Sequence, residues 1–197
     1  MRAGDVNLKV SRFVTSPPFE TNTYVLEVLG EMLVVDPGEG ISRFVNGPAF
    51  VLVTHGHCDH ISGVPELKVK KLFVSKEDSH MLSDPKANLS ADFMDWNVVL
   101  DLPFEEIEKF FNVLAVPGHT RGSRFVVFEG VVFTGDTMFA DTIGRVDLSG
   151  SEEEMKRTLG KVRRFFSEIP KDWLVCPGHG EVVTVGELLK KNPFFHE

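Results

Sequence analysis

The segment THGHCDH, residues 54–60, constrains this chain most, because it places three histidines and an aspartate directly after the apolar run FVLV. Side chains alternate along a strand, so His55 and His57 leave the end of the predicted strand on the same side. Asp59 and His60 follow in the next turn, where adjacent side chains can point to neighbouring sites. The pattern therefore predicts a metal site and suggests two metal ions bound side by side.

Three further ligand candidates stand in loops that follow apolar strands. His119 comes after VLAVPG, Asp136 after VVFTG, and His179 after WLVCPG. Strand ends that converge on one rim are where α/β folds build active sites. We therefore expect these loops to meet the first motif at one edge of the fold.

The candidates divide into two ligand sets with one carboxylate between them. One set has three histidines and the other has two histidines and a carboxylate: His55, His57 and His119; and Asp59, His60 and His179; with Asp136 as the bridge. Imidazole and carboxylate ligands suit zinc, iron or manganese and leave a coordination position open for water. Two such ions about 3.5 Å apart lower the pKa of a shared water toward neutrality. The sequence thus predicts a metal-activated hydrolase with two divalent ions per chain, zinc first, with iron or manganese as alternatives.

Composition narrows the possible partners and compartments. The 197 residues fit one domain, residues 1–197, and the formal net charge of −8 argues against nucleic-acid and anionic-membrane partners. No stretch approaches the roughly 18 apolar residues of a membrane span. We expect a cytoplasmic protein in which Cys58 and Cys176 are reduced thiols.

Hydrophobic periodicity predicts two β-rich regions and a few helices. The predicted strands are LKVSRFV, TYVLEVL, EMLVVD, FVLVTH, FNVLAV, SRFVVFE, VVFTG and DWLVCP. The predicted helices are SKEDSHML, FEEIEKFF, SEEEMKRTLGKVRRFFSEI and VGELLKKN. Ser151 with Glu154, and Thr184 with Glu187, have the spacing of a capping box at the start of the last two helices.

The motifs THGHCDH, GHTRGS, GDTMF and PGHG, in this order, resemble those of the metallo-β-lactamase superfamily. The closest resemblance is to its glyoxalase II-like branch, the small hydroxyacylglutathione hydrolase-like enzymes. It implies an α/β (α+β) fold, a four-layer αββα sandwich of two mixed sheets with helices outside. It also implies the same seven metal ligands and the same two ions. Asp36, in VVDPG, resembles the family's aspartate that supports the histidine loop.

Recognition of glutathione is where this chain departs from the larger glyoxalase II enzymes. Those enzymes carry a C-terminal helical domain that helps to hold glutathione, and we expect this chain to lack it. Arg145 stands where they place a basic residue near glutathione, but the expected tyrosines are replaced by Asp147 and Glu181. Phe19 and Phe139 are further candidates for the border of the site, although core packing is an equal alternative for Phe139.

The resulting hypothesis is hydrolysis of a small-molecule acyl thioester by a bridging metal-bound hydroxide, with Asp59 as a catalytic residue that orients the nucleophile. One alternative is an iron-dependent persulfide dioxygenase that uses His55, His119 and Asp136. Two others are a lactonase or other hydrolase of the superfamily, and a non-catalytic metal-binding protein. A monomer and a homodimer are both compatible with the sequence.

Overall fold

The computed structural model describes residues 8–196, and residues 1–7 and 197 of the predicted domain lie outside this range. The first sheet has six strands in spatial order: β1 (Val10–Val14), β2 (Asn22–Val28), β3 (Glu31–Val35), β4 (Pro48–Leu52), β5 (Lys68–Val74) and β6 (Phe104–Glu106). The second has five: β11 (Val183–Thr184), β10 (Leu174–Pro177), β9 (Val131–Gly135), β8 (Arg124–Phe128) and β7 (Val113–Ala115). The predicted division into two β-rich halves is thus seen as two sheets.

Strand direction explains where polar residues gather. In the first sheet β1, β2 and β3 are antiparallel neighbours, whereas β3, β4, β5 and β6 run parallel. In the second sheet β9 and β10 are parallel. β7 and β9 are both antiparallel to β8, so β7 also runs in the direction of β9 and β10. The carboxyl ends of several strands in each sheet therefore lie at a common edge, which is the arrangement that builds active sites in α/β proteins.

The main core lies between the two sheets, and side-chain alternation decides which residues enter it. Leu33 and Val35 of β3 and Phe133 of β9 belong to the core between the sheets. Val34 and Val132, at the intervening positions, belong to the cores on the outer faces. Each sheet is therefore apolar on both faces, as a strand layer covered on both sides requires.

Helices cover the outer faces of both sheets. Residues 8–196 contain four α-helices: α1 (Cys58–Ile61), α2 (Ser90–Phe93), α3 (Glu152–Glu168) and α4 (Val185–Lys191). The apolar stripe of α3, which includes Met155, Val162 and Phe166, packs with α4 on the second sheet. On the first sheet α1 and short 3₁₀ turns fill the same role. The predicted four-layer α/β (α+β) sandwich with two mixed sheets is confirmed.

The predicted starts of the two longer helices are also confirmed. The hydroxyl of Ser151 accepts a hydrogen bond from the backbone N–H of Glu154. Thr184 and Glu187 form the full reciprocal capping box. Both contacts satisfy backbone N–H groups that have no partner within the helix.

The short elements α1, α2 and β11 were not predicted, and three further segments also differ from the prediction. β5 was not predicted, because lysines in its exposed first half hide a strand that is buried only at its end. FEEIEKFF was predicted as a helix, but residues 104–106 pair with β5 as a strand and a 3₁₀ turn follows over Ile107–Lys109. SKEDSHML forms only a 3₁₀ turn, Ser79–Leu82. FEEIEKFF begins as a strand because the edge of β5 is open for pairing, and sheet pairing outweighs the weak helical preference of these residues.

Among residues 8–196, no helix is both long and apolar enough to cross a membrane.

Candidate metal centre

The seven predicted ligands lie together at the edge where the parallel strands of both sheets end. His55 and His57 follow β4, and Asp59 and His60 lie in α1. The other three follow β7, β9 and β10 of the second sheet: His119, Asp136 and His179. The long-range arrangement of the two sheets therefore joins ligands that are far apart in the chain.

Three histidines form the first group of candidate ligands. One ring nitrogen from each of His55, His57 and His119 lies within 4.8 Å of the others. The Nδ1 atom of His57 and the Nε2 atom of His119 are 2.9 Å apart. All three side chains are buried, so their nitrogen atoms converge in a space largely shielded from water.

Asp59, His60 and His179 form the second group, again with ligand atoms within 4.8 Å of one another. The Nε2 atom of His179 lies 3.1 Å from Asp59 Oδ2 and 3.4 Å from Asp136 Oδ2. Asp136 Oδ2 is also 3.7 Å from His119 Nε2, which belongs to the first group. Asp136 therefore lies between the two groups, where a bridging carboxylate would be placed.

Unpaired polar atoms indicate that the centre is built for a further group. Within the described chain, four buried atoms have no partner with hydrogen-bond geometry: His55 Nε2, both ring nitrogens of His60, and Asp136 Oδ1. The two His60 nitrogens lie 3.1–3.4 Å from carboxylate oxygens. An unsatisfied buried polar atom costs about 1–3 kcal/mol, so a concentration of them in one place needs compensation. Imidazole nitrogens and carboxylate oxygens are ligands of zinc, iron and manganese, so these residues fit divalent metal ions.

In the metal-free cluster the two groups differ in the protonation of their histidines. Burial lowers the pKa of His57 to about 3, and neighbouring His119 adds to this effect. Burial also favours a neutral His55, with further lowering of its pKa by His60 and His119. In the first group His55 and His57 are therefore neutral imidazoles near pH 7, the form that binds a metal ion.

The second group combines cationic histidines with carboxylates. Burial opposes a charge on His179, but Asp136 and Asp59 outweigh it and raise the pKa of His179 to about 10. The same balance, with Asp59 as the strongest attractive partner, raises the pKa of His60. Metal binding here must therefore displace protons.

Asp36 supports the histidine loop through Thr54. Its carboxylate accepts hydrogen bonds from the Thr54 backbone N–H at 2.8 Å and from the Thr54 hydroxyl at 2.7 Å. The same carboxylate lies 3.1 Å from Nδ1 of His60, and the Thr54 hydroxyl lies 3.2 Å from Nδ1 of His55. Asp36 is thus placed to orient ligands of both groups, as the resemblance implies.

Asp78 is a second supporting carboxylate, which the sequence did not reveal. Its Oδ2 atom accepts hydrogen bonds from the Gly56 N–H at 3.0 Å and the Thr120 hydroxyl at 2.7 Å. Its Oδ1 atom accepts from the Gly122 N–H at 2.7 Å. The buried side chain therefore ties the loop of His55 to the loop of His119. No local signal separated Asp78 from the other acidic residues of SKEDSHML.

The His179 loop is held by β2. The side-chain amide of Asn22 donates to the carbonyls of Pro177 and Gly180, and the Tyr24 hydroxyl donates to Pro177 at 2.7 Å. A Cβ atom on Gly178 would lie 2.1 Å from Asp136 Oδ1. Only glycine fits there, because the backbone passes directly against the cluster.

A cleft of about 630 Å³ opens beside Asp59. It lies between residues 15–19, residues 39–43 and residues 93–96, and Phe19 lines it. The Thr21 hydroxyl donates a 2.7 Å hydrogen bond to Asp59 Oδ2. A substrate in this cleft would therefore reach the centre from the side of the second ligand group.

Of the other residues expected near the substrate, Phe139 lies beside the centre, whereas the side chain of Arg145 is exposed and paired with Asp147. Phe139 is half-buried, with its ring centroid 6.3 Å from that of His179, so it borders the centre. The carbonyl of Arg145 is 2.7 Å from Nδ1 of His119, but its guanidinium forms two hydrogen bonds to Asp147 and is 58% exposed. Cys58 packs in the outer core, where burial raises the pKa of its thiol to about 12.

Comparisons with known proteins identify the family. The sequence matches the metallo-beta-lactamase superfamily over residues 16–179, and the chain belongs to this superfamily. A probable metallo-hydrolase of Streptococcus pyogenes is 32% identical over 203 residues, which cover 89% of this chain and 85% of that protein. A hydroxyacylglutathione hydrolase of Xanthomonas euvesicatoria is 31% identical over 177 residues, which cover 85% of this chain and 64% of that protein.

Solved structures agree with this assignment. The BLEG-1 B3 metallo-beta-lactamase superposes with a TM-score of 0.82 at 27% identity, covering 96% of this chain and 100% of that one. TTHA1623 in a di-iron-bound form superposes with a TM-score of 0.77 at 25% identity, covering 93% and 99%. Family membership together with the histidine and aspartate cluster supports a metal-dependent enzyme of the hydrolase type.

Proposed function

We propose that this protein hydrolyses acyl thioesters with the help of two divalent metal ions. The observation that carries the proposal is the convergence of seven histidine and aspartate side chains into overlapping groups of ligands. The first ion would be held by His55, His57 and His119, and the second by Asp59, His60 and His179, with Asp136 shared. Zinc is the first expectation, and iron or manganese are the alternatives.

Bound divalent ions would supply Lewis-acid polarisation of the carbonyl and activation of a water molecule. The chain's own contribution is orientation. Asp59 faces the cleft, and its position is set by the hydrogen bond from Thr21. We assign to Asp59 the catalytic role of directing the attacking water toward a carbonyl in the cleft. Asp36 and Asp78 are positioning residues, because they hold the ligand loops without facing the substrate.

A thioester suits this centre because its leaving group needs little help. In the reaction a water oxygen bonds to the acyl carbon and the C–S bond breaks. One proton of the water ends on the thiol and the other is released to solvent, so that a carboxylate, a thiol and a proton result. A thiolate departs without prior protonation, so an acid separate from the metal ligands is not needed. The similarity to a hydroxyacylglutathione hydrolase supports the same reaction class.

The direct test is thiol release from a panel of thioesters. Protein stripped of metal and reloaded with zinc, iron or manganese would be assayed with S-lactoylglutathione and with acyl thioesters of a neutral thiol. We expect metal-dependent turnover that is lost in His119→Ala and retained in His196→Ala, whose exposed side chain lies outside the centre. Absence of thioester hydrolysis by every metal-loaded form would refute the proposal.

Three other reactions belong in the same panel. β-Lactam hydrolysis is favoured by the likeness to a B3 metallo-beta-lactamase, and a chromogenic cephalosporin would measure it. The persulfide dioxygenase hypothesis uses His55, His119 and Asp136 around one iron, and oxygen uptake with glutathione persulfide would measure it. It is less well supported, because Asp59, His60 and His179 provide ligands for a second ion. Lactones added to the panel would test the lactonase alternative, and bound metal without any turnover would favour a non-catalytic protein.

A further inference from the structure

Part of the lining of the cleft beside Asp59 is aromatic. Three aromatic side chains line it, Phe19, Phe93 and Trp96. Phe93 is 50% exposed and Trp96 is 41% exposed, and both lie near Met94, which packs against the outer core of the first sheet. Large apolar side chains that face one cavity next to reactive groups are typical of a small-molecule site.

The charges in the cleft disfavour an anionic ligand. Glu39, Glu66 and Asp95 line it in addition to Asp59, and Arg43 is the one basic side chain among its described lining residues. Like charges in a partly enclosed space repel a ligand that carries carboxylates. An uncharged group therefore fits this cleft better than a charged one.

The size of the cleft adds a second restriction. A volume of about 630 Å³ lies within the range of roughly 300–1,000 Å³ that is usual for small-molecule pockets. A two- or three-carbon acyl group would leave most of this volume and both exposed aromatic rings uncovered. A longer alkyl or aryl group would cover them.

We infer that the cleft binds the acyl part of the substrate and selects an uncharged alkyl or aryl acyl group of medium length. This inference rests on the proposed thioester hydrolysis and names the substrate class of the same centre. Trp96 and Phe93 are specificity-determining residues that contact the acyl chain. The thiol part of the substrate then extends away from the acidic cleft.

A binding measurement tests the assignment without turnover. The chain contains two tryptophans, so Trp173→Phe leaves Trp96 as the only indole reporter. Metal-loaded Trp173→Phe protein would be titrated with hexanamide and with acetamide, which share an uncharged amide group and differ in four methylenes. We expect a saturable change in Trp96 fluorescence with hexanamide at a Kd about tenfold or more below that of acetamide. Equal affinities, or no response from Trp96, would overturn the inference.

A turnover measurement tests specificity. The ratio of kcat/KM for hexanoyl and acetyl thioesters of one neutral thiol should fall about tenfold in Trp96→Ala and recover in Trp96→Phe. Phe104→Ala is the matched control, since Phe104 is 40% exposed but lines a separate depression at the sheet edge. An unchanged ratio in Trp96→Ala would contradict the inference. Selective hexanamide binding without hydrolysis of any thioester would support the acyl site while refuting the proposed reaction.

Discussion

The substitution Asp78→Asn should weaken metal binding by one ligand group and spare the other, although Asp78 is not itself a candidate ligand. In the native protein the Asp78 carboxylate accepts from the Gly56 N–H, the Gly122 N–H and the Thr120 hydroxyl, at 2.7–3.0 Å. An asparagine has the same shape but only one acceptor oxygen. Whichever way its amide is turned, its NH₂ group faces a backbone N–H of Gly56 or Gly122.

The magnitude follows from that mismatch. A buried donor left unpaired costs about 1–3 kcal/mol, and for a protein of this size each kcal/mol lowers Tm by about 2–4 °C. The loops affected carry His55, His57 and His119. Changes in residues that orient ligands typically lower metal affinity about 10–100-fold. We expect that loss in the three-histidine group, with the affinity of the Asp59, His60 and His179 group nearly unchanged.

Competition with a chromophoric chelator would measure both affinities on metal-free protein, and thermal unfolding would measure stability. Asp101→Asn is the matched control, because Asp101 is exposed and makes the same change of charge. If Asp78→Asn lowered Tm but left both metal affinities unchanged, the tie between the two loops would not be what holds the first ligand group. Equal weakening of both groups would also refute the reasoning.

Three further predictions concern the same centre. The Gly178→Ala protein should lose most of its metal content and activity, because the new Cβ would lie 2.1 Å from Asp136 Oδ1; metal analysis would measure the loss. The control is Gly160→Ala in α3, where the space around the glycine is open. This change should raise the free energy of unfolding by about 0.5–1 kcal/mol, which denaturant titration would measure. His179, whose pKa is about 10 in the metal-free protein, and His60, whose pKa is also raised, are both protonated at pH 7. Metal uptake by the second group at pH 7 should therefore release about two protons, and affinity should rise with pH toward 10; calorimetry in two buffers of different ionisation enthalpy would expose a contrary result. Arg145→Ala should change KM for S-lactoylglutathione less than twofold, since the guanidinium is already paired, and a large increase in KM would assign it to glutathione binding.

Much of the fold and the candidate site could be predicted from local sequence. The apolar segment VVFTG was predicted as a strand and forms β9, and the caps at Ser151 and Thr184 marked the helix starts. The histidine and aspartate motifs named all the residues that the structure brings into the candidate centre. These features are encoded within a few residues, so a sequence pattern is enough to show them.

Other features depended on contacts between distant segments. β6 formed because the edge of β5 was open for pairing, against a helical pattern in its own residues. The role of Asp78 depends on hydrogen bonds to residues 22, 42 and 44 positions away, and the acidic, aromatic-walled cleft depends on four separate segments. The sequence by itself therefore determined which atoms could bind a metal and at which strand ends they stand. Only the tertiary structure decided how those atoms are held and what surrounds the open side of the centre, because both result from packing the two sheets together.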